Sequence, residues 1–292
     1  MELDPKSLDR QAIELSRKYS GQFAPLIALT LVAILAAYGA NLWLFASGAT
    51  PLWLAFLLMA ALTYLAYTPL HEAAHGNIRG ESMQLKWLED LVGFTAAQLI
   101  LVPHSTHRLE HMAHHRHTND PEKDPDFLAS TLGSGFLSFM VMTLRFFWNG
   151  FSYAFSPRCT NATRRDKLVF FVEVTVALGW RAAFLTQVAL LEGLVLIIGG
   201  YITAVYFTVY WFAYRPHHPY DNAERYQNTN NFVMPNWLKP LRWFWMGQDL
   251  HAIHHLFPRV PFYHYRHLYR EIEPTLRAKG TPIIGIFDRQ PA

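Results

Sequence analysis

The sequence predicts an all-α integral membrane protein: four transmembrane helices in two hairpins, a cytosolic histidine-rich helical cap, and amphipathic helices lying in the interface. Three observations predict it. Of 292 residues, 16% are charged and 51% hydrophobic, against roughly 25% charged in an average soluble chain. The apolar residues gather in two blocks, each long enough for a pair of spans of ~20 residues. All 15 histidines lie after residue 70, outside the first hairpin. A mean hydropathy of +0.07 agrees, as does an aromatic share of 15%, since Trp and Tyr collect at bilayer boundaries.

The elements follow in order. Met1 to Gln22 is polar and mixed in charge, unlike a signal peptide. The first span is 23–46, broken only by Thr30 and Asn41. Ser47 to Pro51 reads as a tight turn, and the second span, 51–70, delivers the chain straight into His71. The block Leu168 to Tyr214 holds spans 168–186 and 193–214, turning at Gln187 to Gly193 or, alternatively, at Gly179-Trp180-Arg181. On either choice Arg181 is the one basic residue among 25 Lys and Arg on the far side. Positive charge marks the cytoplasmic side, so both termini and every histidine are expected inside. Leu85 to Pro103 and Leu132 to Trp148 carry Lys86, Glu89, Asp90 and Arg145 and read as interfacial amphipathic helices. The whole, 1–292, reads as one domain without repeats or low-complexity segments.

Some functions are excluded. The single cysteine, Cys159, permits no internal disulfide and no thiolate cluster. A net charge of +3 is too small to imply nucleic-acid binding. It suits a wet face near anionic lipid or an acidic redox partner.

The histidine spacing carries the chemistry. His71 and His75 form HxxxH, with two imidazoles on one helix face about 5–6 Å apart at Cβ. His111, His114 and His115 form HxxHH, and His107 extends that stripe by one turn. His251, His254 and His255 repeat HxxHH. Imidazole suits Zn, Cu, Fe and Ni, and a catalytic zinc takes about three protein ligands, so eight box imidazoles imply two ions. Neutral donors also suit the ends of apolar helices, where carboxylates are costly to desolvate. Iron is the expected metal, because it activates oxygen. His104, His117, His218, His264 and His267 read as interfacial or supporting residues. Glu72, Glu110, Asp124 and Asp249 are candidates to orient imidazoles by accepting their other N–H.

Two other classes compete. His71-Glu72-Ala73-Ala74-His75 is also HExxH, the zinc metalloprotease signature with Glu as general base, which leaves both HxxHH clusters unexplained. A haem-binding electron carrier does not explain adjacent histidine pairs, whose side chains diverge by about 100° on a helix.

The three boxes and their long hydrophobic separator resemble the membrane fatty-acid desaturase and hydroxylase superfamily. Within it, the likeness is nearest to bacterial carotenoid (beta-carotene) hydroxylases and ketolases. It rests on His111 to Phe127 (HMAHHRHTNDPEKDPDF), Arg215-Pro216-His217, and Asp249 to Pro258 (DLHAIHHLFP), and runs from about residue 60 to 275. The resemblance implies four spans in a bacterial inner membrane, and two non-haem irons held by the box histidines. It adds His217 as a further ligand and, by looser spacing, His107. It also implies oxygen-dependent oxidation of a C–H bond in a long apolar lipid, giving a hydroxyl group or a double bond. Carotenoid hydroxylation is the expected outcome, with fatty-acyl desaturation as the alternative. The chain has no His-Pro-Gly-Gly haem box, so electrons are expected from a separate ferredoxin or reductase.

Overall fold

The structure, a computed structural model, describes residues 5–132 and 135–288. Both chain ends of the expected 1–292 domain, and residues 133–134 of the expected interfacial stretch, lie outside the described residues. The helices are α1 (Pro5–Arg17), α2 (Pro25–Ala46), α3 (Leu52–His75), α4 (Lys86–Ile100), α5 (His104–His117), α6 (Phe136–Ser152), α7 (Arg164–Leu185) and α8 (Leu190–His217). Beyond α8 come β1 (Asn231–Val233), α9 (His251–Leu256), α10 (Tyr265–Ala278) and β2 (Ile283–Gly285).

Among the described residues, four helices (α2, α3, α7 and α8) are long and apolar enough to cross a bilayer. Only 22% to 44% of each spanning window is buried inside the protein. Leu29, Val32, Trp43, Phe171 and Leu178 point outward. In water that surface would cost about 25 cal/mol per Å²; against lipid it costs little. The chain is an integral membrane protein. Local signals set the helix ends. Pro25 opens α2, its fixed φ suited to a first turn. Gly76, at φ 74°, takes the left-handed cap that stops α3. Thr163 and Asp166 form a capping box at the start of α7. The turn between α7 and α8 falls at 186–189, so Gly179-Trp180-Arg181 is helical.

One expectation is overturned. Leu85 to Pro103 does not lie flat in the interface. At its start α4 is tied to the turn that follows α3, where Arg79 Nε meets Glu89 Oε1 at 3.1 Å. At its finish, Arg181 of α7 donates to the carbonyls of Gln98 (2.9 Å) and Leu99 (3.0 Å), one turn short of the far end of α7. The chain then reverses at 101–103 and returns as α5, antiparallel to α7: His104 N–H meets Glu173 at 3.0 Å, and Arg108 meets Asp166 at 3.2 Å. Helices α4 and α5 therefore form a re-entrant pair inside the bundle. The charges Lys86, Glu89 and Asp90 sit in the first turns of α4, leaving its remainder uncharged and free to enter. Arg181, expected on the far side, is buried at this turn.

Close approach of the pair depends on Gly93. A Cβ there would lie 2.7 Å from the His104 ring. Elsewhere, Asn41 donates to the Ala55 carbonyl at 3.0 Å, joining α2 to α3. Helix α8 contains π-helical turns at Val195–Gly199 and Val209–Tyr214, a distortion common near functional sites. In the cap, α1 packs on α10 through Ala12, Leu268 and Ile272. The parallel pair β1–β2 sets Asn231 against Ile283, and Asn231 Oδ1 accepts the Ala252 N–H at 3.1 Å at the start of α9.

The contrast between two glycines gives a test. Gly93→Ala should destabilise the detergent-purified protein by about 1–3 kcal/mol through overpacking. Gly179→Ala, with nothing within 4 Å, should be neutral or stabilising by up to about 1 kcal/mol. Thermal unfolding of the two variants decides it; equal effects would contradict the packing described.

Candidate metal centre

Four elements present histidines to one volume: the end of α3, the middle of α5, the last residue of α8, and α9. Nine Nε2 atoms converge there in two groups. In the first, His71, His75, His111, His115 and His254 offer donor atoms all within 4.8 Å of one another. Neighbouring Nε2 atoms are 2.8 Å apart for His75–His111 and His115–His254, 3.0 Å for His111–His115 and 3.1 Å for His71–His254. The second group brings together His114, His217 and His255, with His251 Nε2 3.1 Å from both His217 and His255. Only His115 and His255 are half-buried; the rest are buried.

These separations fit metal ions. A neutral imidazole has one bare nitrogen, and bare nitrogens cannot hydrogen-bond one another. Donors about 2.0–2.1 Å from a shared ion and at right angles to each other stand about 3 Å apart, as these do. The first group's five donors exceed the four usual for zinc.

The outer nitrogens of several rings are held by acceptors, which turns Nε2 inward. His114 Nδ1 meets Asp124 Oδ1 at 2.9 Å. His251 Nδ1 meets Gln248 Oε1 at 2.7 Å, His254 Nδ1 meets the Tyr265 hydroxyl at 2.9 Å, and His255 Nδ1 meets Thr118 Oγ1 at 3.3 Å. Of the four expected carboxylates, Asp124 thus touches a converging histidine directly. Glu72 Oε1 lies 3.5 Å from His71 Nδ1 and 3.5 Å from the Tyr265 hydroxyl, while Asn77 and the Phe262 N–H donate to Oε2. Glu110 lies 3.5 Å from His107 Nδ1. The Asp249 carboxylate is taken by Arg266 at 2.7 Å and touches no imidazole of the groups; Gln248 beside it does that work.

His107 belongs to neither group. Its ring stacks on His111 at 5.3 Å, and its Nε2 has no partner among the described residues. His104 lies over Gly93, while His264 and His267 pack on Tyr19 at 5.2 and 6.4 Å. The sequence reading missed Gln248, Tyr265, Thr118 and Asp126. Gln248 sits three residues before His251, a spacing that could have marked it; Tyr265 carries no such signal.

Burial holds His111, His115, His251, His254 and His255 well below the usual imidazole range, hence neutral. His114 is the exception. Burial pulls it down, but Asp124 and Asp126 outweigh that and raise it to about 9. Burial also lifts Glu110 to about 7, and Asp126 rises through burial and the nearby Glu110. Beside the groups opens an apolar cavity walled by Ile100, Phe146, Phe147, Val205 and Phe212. It ends on His71, His111, His114 and His251.

Two tests arise from this geometry. With its folded-state pKa raised, protonated His114 stabilises the metal-free protein most fully below about 6.5, its unfolded value, and that stability is lost as pH rises through about 9. A metal must displace this proton. Binding at pH 7 should therefore release about one proton from His114, and metal affinity should rise up to about pH 9. Titration calorimetry in buffers of differing ionisation enthalpy measures the release; Asp124→Asn should abolish it. Second, His217→Ala should lose bound metal as His255→Ala does, whereas His107→Ala and His264→Ala should keep it. Elemental analysis showing metal loss in His107→Ala but not in His217→Ala would reverse the assignment.

The comparisons with known proteins agree with this geometry. The fatty acid desaturase family profile matches residues 47–287. Similar proteins include an endoplasmic-reticulum omega-6 fatty acid desaturase of Glycine max, 24% identical over 70% of this chain and 61% of its own length. A fatty acid conjugase of Calendula officinalis is 23% identical over 75% of this chain and 68% of its own. A chloroplastic sn-2 acyl-lipid omega-3 desaturase (ferredoxin) of Helianthus annuus is 26% identical over 91% of this chain and 62% of its own. The chain thus spans between 61% and 68% of the length of these relatives. With three histidine boxes on a four-span frame and a match over most of its length, the chain belongs to the fatty acid desaturase family.

Proposed function

We propose that this protein is an oxygen-dependent membrane oxidoreductase that introduces a double bond into a fatty acyl chain of a lipid. The observation that carries the reading is the convergence of nine inward imidazole nitrogens at the end of an apolar cavity. His71, His75, His111, His115 and His254 would hold one iron, and His114, His217, His251 and His255 the other. Bound iron would supply the oxygen activation and C–H oxidation. The relatives are named as a fatty acid desaturase, a fatty acid conjugase and an acyl-lipid desaturase, which favours desaturation over the carotenoid hydroxylation expected from the local likeness of the second box.

The remaining work falls to the protein's own side chains. Phe146, Phe147, Val205 and Phe212 give an acyl chain an apolar bed and keep water away. Asp124, Gln248 and Tyr265 hold their imidazoles in one tautomer. In balance, an acyl CH2–CH2 loses two hydrogens, and O2 takes them up with two further electrons and two protons to give two waters. Those electrons come from a separate one-electron donor, a ferredoxin or reductase. We place the histidine side in the cytoplasm, because Lys and Arg crowd it and the turns at 47–51 and 186–189 carry no charge. We also read the chain as one domain, since the two groups draw donors from His71 through His255. The protease alternative needs Glu72 as a free base, but that carboxylate is spent on Asn77, Tyr265 and the Phe262 N–H.

Mass spectrometry of lipids and pigments from an expressing host tests the reading. Acyl chains should lose two hydrogens relative to a His75→Ala control. A pigment gaining oxygen with unchanged acyl chains would make carotenoid hydroxylation the function instead.

A further inference from the structure

We propose that Glu173 and Arg181, charged residues inside the span α7, are positioning residues for the metal centre. They fix the re-entrant turn from which α5 carries its histidines to both groups. The inference rests on reading the nine histidines as metal ligands.

The need for such residues comes from the backbone. The first N–H groups of α5 and the last carbonyls of α4 have no partners within their own helices, and lipid offers none. Here one face of α7 supplies both. The Glu173 carboxylate accepts the N–H groups of His104 (3.0 Å) and Ser105 (3.2 Å) and the Ser105 hydroxyl (2.6 Å). Two turns on, the Arg181 guanidinium donates to the carbonyls of Gln98 and Leu99, and to Ala177 at 2.9 Å. The signs match the helix dipoles, with the anion at the positive end of α5 and the cation at the negative end of α4. Between them lies Ala177, buried and small enough to let the turn sit close. Trp180 covers the guanidinium at 4.4 Å. Ionisable residues at this depth are costly, and their presence points to a role.

That role follows from what α5 carries. His111 and His115 go to the first group and His114 to the second, so three of nine donors move with this helix. Metal sites tolerate displacements of about 0.5 Å. Among the described residues, the Glu173 contacts are the hydrogen bonds that hold the first turn of α5 against α7, with Arg108 to Asp166 a turn further on. Losing them frees the buried end from which the register of the three histidines is set.

The test uses purified, iron-loaded full-length protein, with chelator-driven iron release, the spectroscopic signature of the bound iron and thermal unfolding as readouts. Glu173→Gln should weaken iron retention by roughly 10- to 100-fold, the usual effect of losing an orienting partner, and alter the signature with little change in unfolding temperature. Arg181→Met should act in the same direction, and Ser105→Ala more weakly. Phe170→Leu, buried on the same helix but away from the turn, supplies the structural control. The inference fails if Glu173→Gln keeps iron like the parent, or loses it only in proportion to stability as Phe170→Leu does. Should Glu173→Gln not insert, Arg181→Met and Ser105→Ala decide by the same criterion. A parent protein that binds no metal would overturn the metal-centre reading and this inference with it.

Discussion

The structure turns on a constraint at nine nitrogen atoms: to hold a metal, each must face inward with its lone pair free, in a place where all but His115 and His255 are buried. An imidazole presents one bare nitrogen when its other nitrogen keeps the proton, and an acceptor on that side fixes the tautomer. Asp124, Gln248, Tyr265 and Thr118 are those acceptors for four of the rings. Their positions follow from the need. Thr118 sits just past the end of α5, Gln248 just before α9, and Tyr265 opens the helix packed against it. The cap exists in this form because the outer nitrogens of α5 and α9 must be met from outside.

The two HxxHH boxes answer the constraint reciprocally. In α5, His111 and His115, four residues apart, go to the first group, and His114 goes to the second. In α9, His251 and His255 go to the second group, and His254 to the first. On a helix, positions i and i+4 lie within about 40° of each other, while i+3 falls about 60° to the other side. Each box therefore points along two rows, and two such helices facing one another exchange their odd member. Neither group can form without both helices. A disturbance of either one reaches both groups.

Much of this was legible in the residues. Spans 23–46 and 51–70 match α2 and the body of α3, because an unbroken apolar run has one physical solution in lipid. The boxes were legible because i, i+3 and i+4 spacing is local. The division of their members between groups was not, since it depends on how α5 faces α9 across 140 residues of chain. The re-entrant turn was also hidden. Lys86, Glu89 and Asp90 gave α4 the look of a surface helix, and nothing local in Leu85 to Pro103 says that Arg181 waits at its end. Glu173 and Arg181 read as imperfections in a span. They become intelligible only once two backbone ends are found beside them.

The distribution of carboxylates adds a last distinction between the groups. Glu72 stands beside the first, 3.5 Å from His71 Nδ1, and accepts from Asn77 and the Phe262 N–H. The second faces Asp124 at 2.9 Å and Asp126 at 3.7 Å from the same His114 nitrogen, with Glu110 close behind. Asp249 contributes little to either field, being paired with Arg266. In a buried region charges act over longer distances than in water. Asp124 and Asp126 together hold the His114 imidazole up at about 9 despite its burial, while burial pushes Glu110 and Asp126 themselves upward. Two groups built from the same kind of donor thus have different surroundings, Glu72 beside His71 in the first and Asp124 and Asp126 beside His114 in the second.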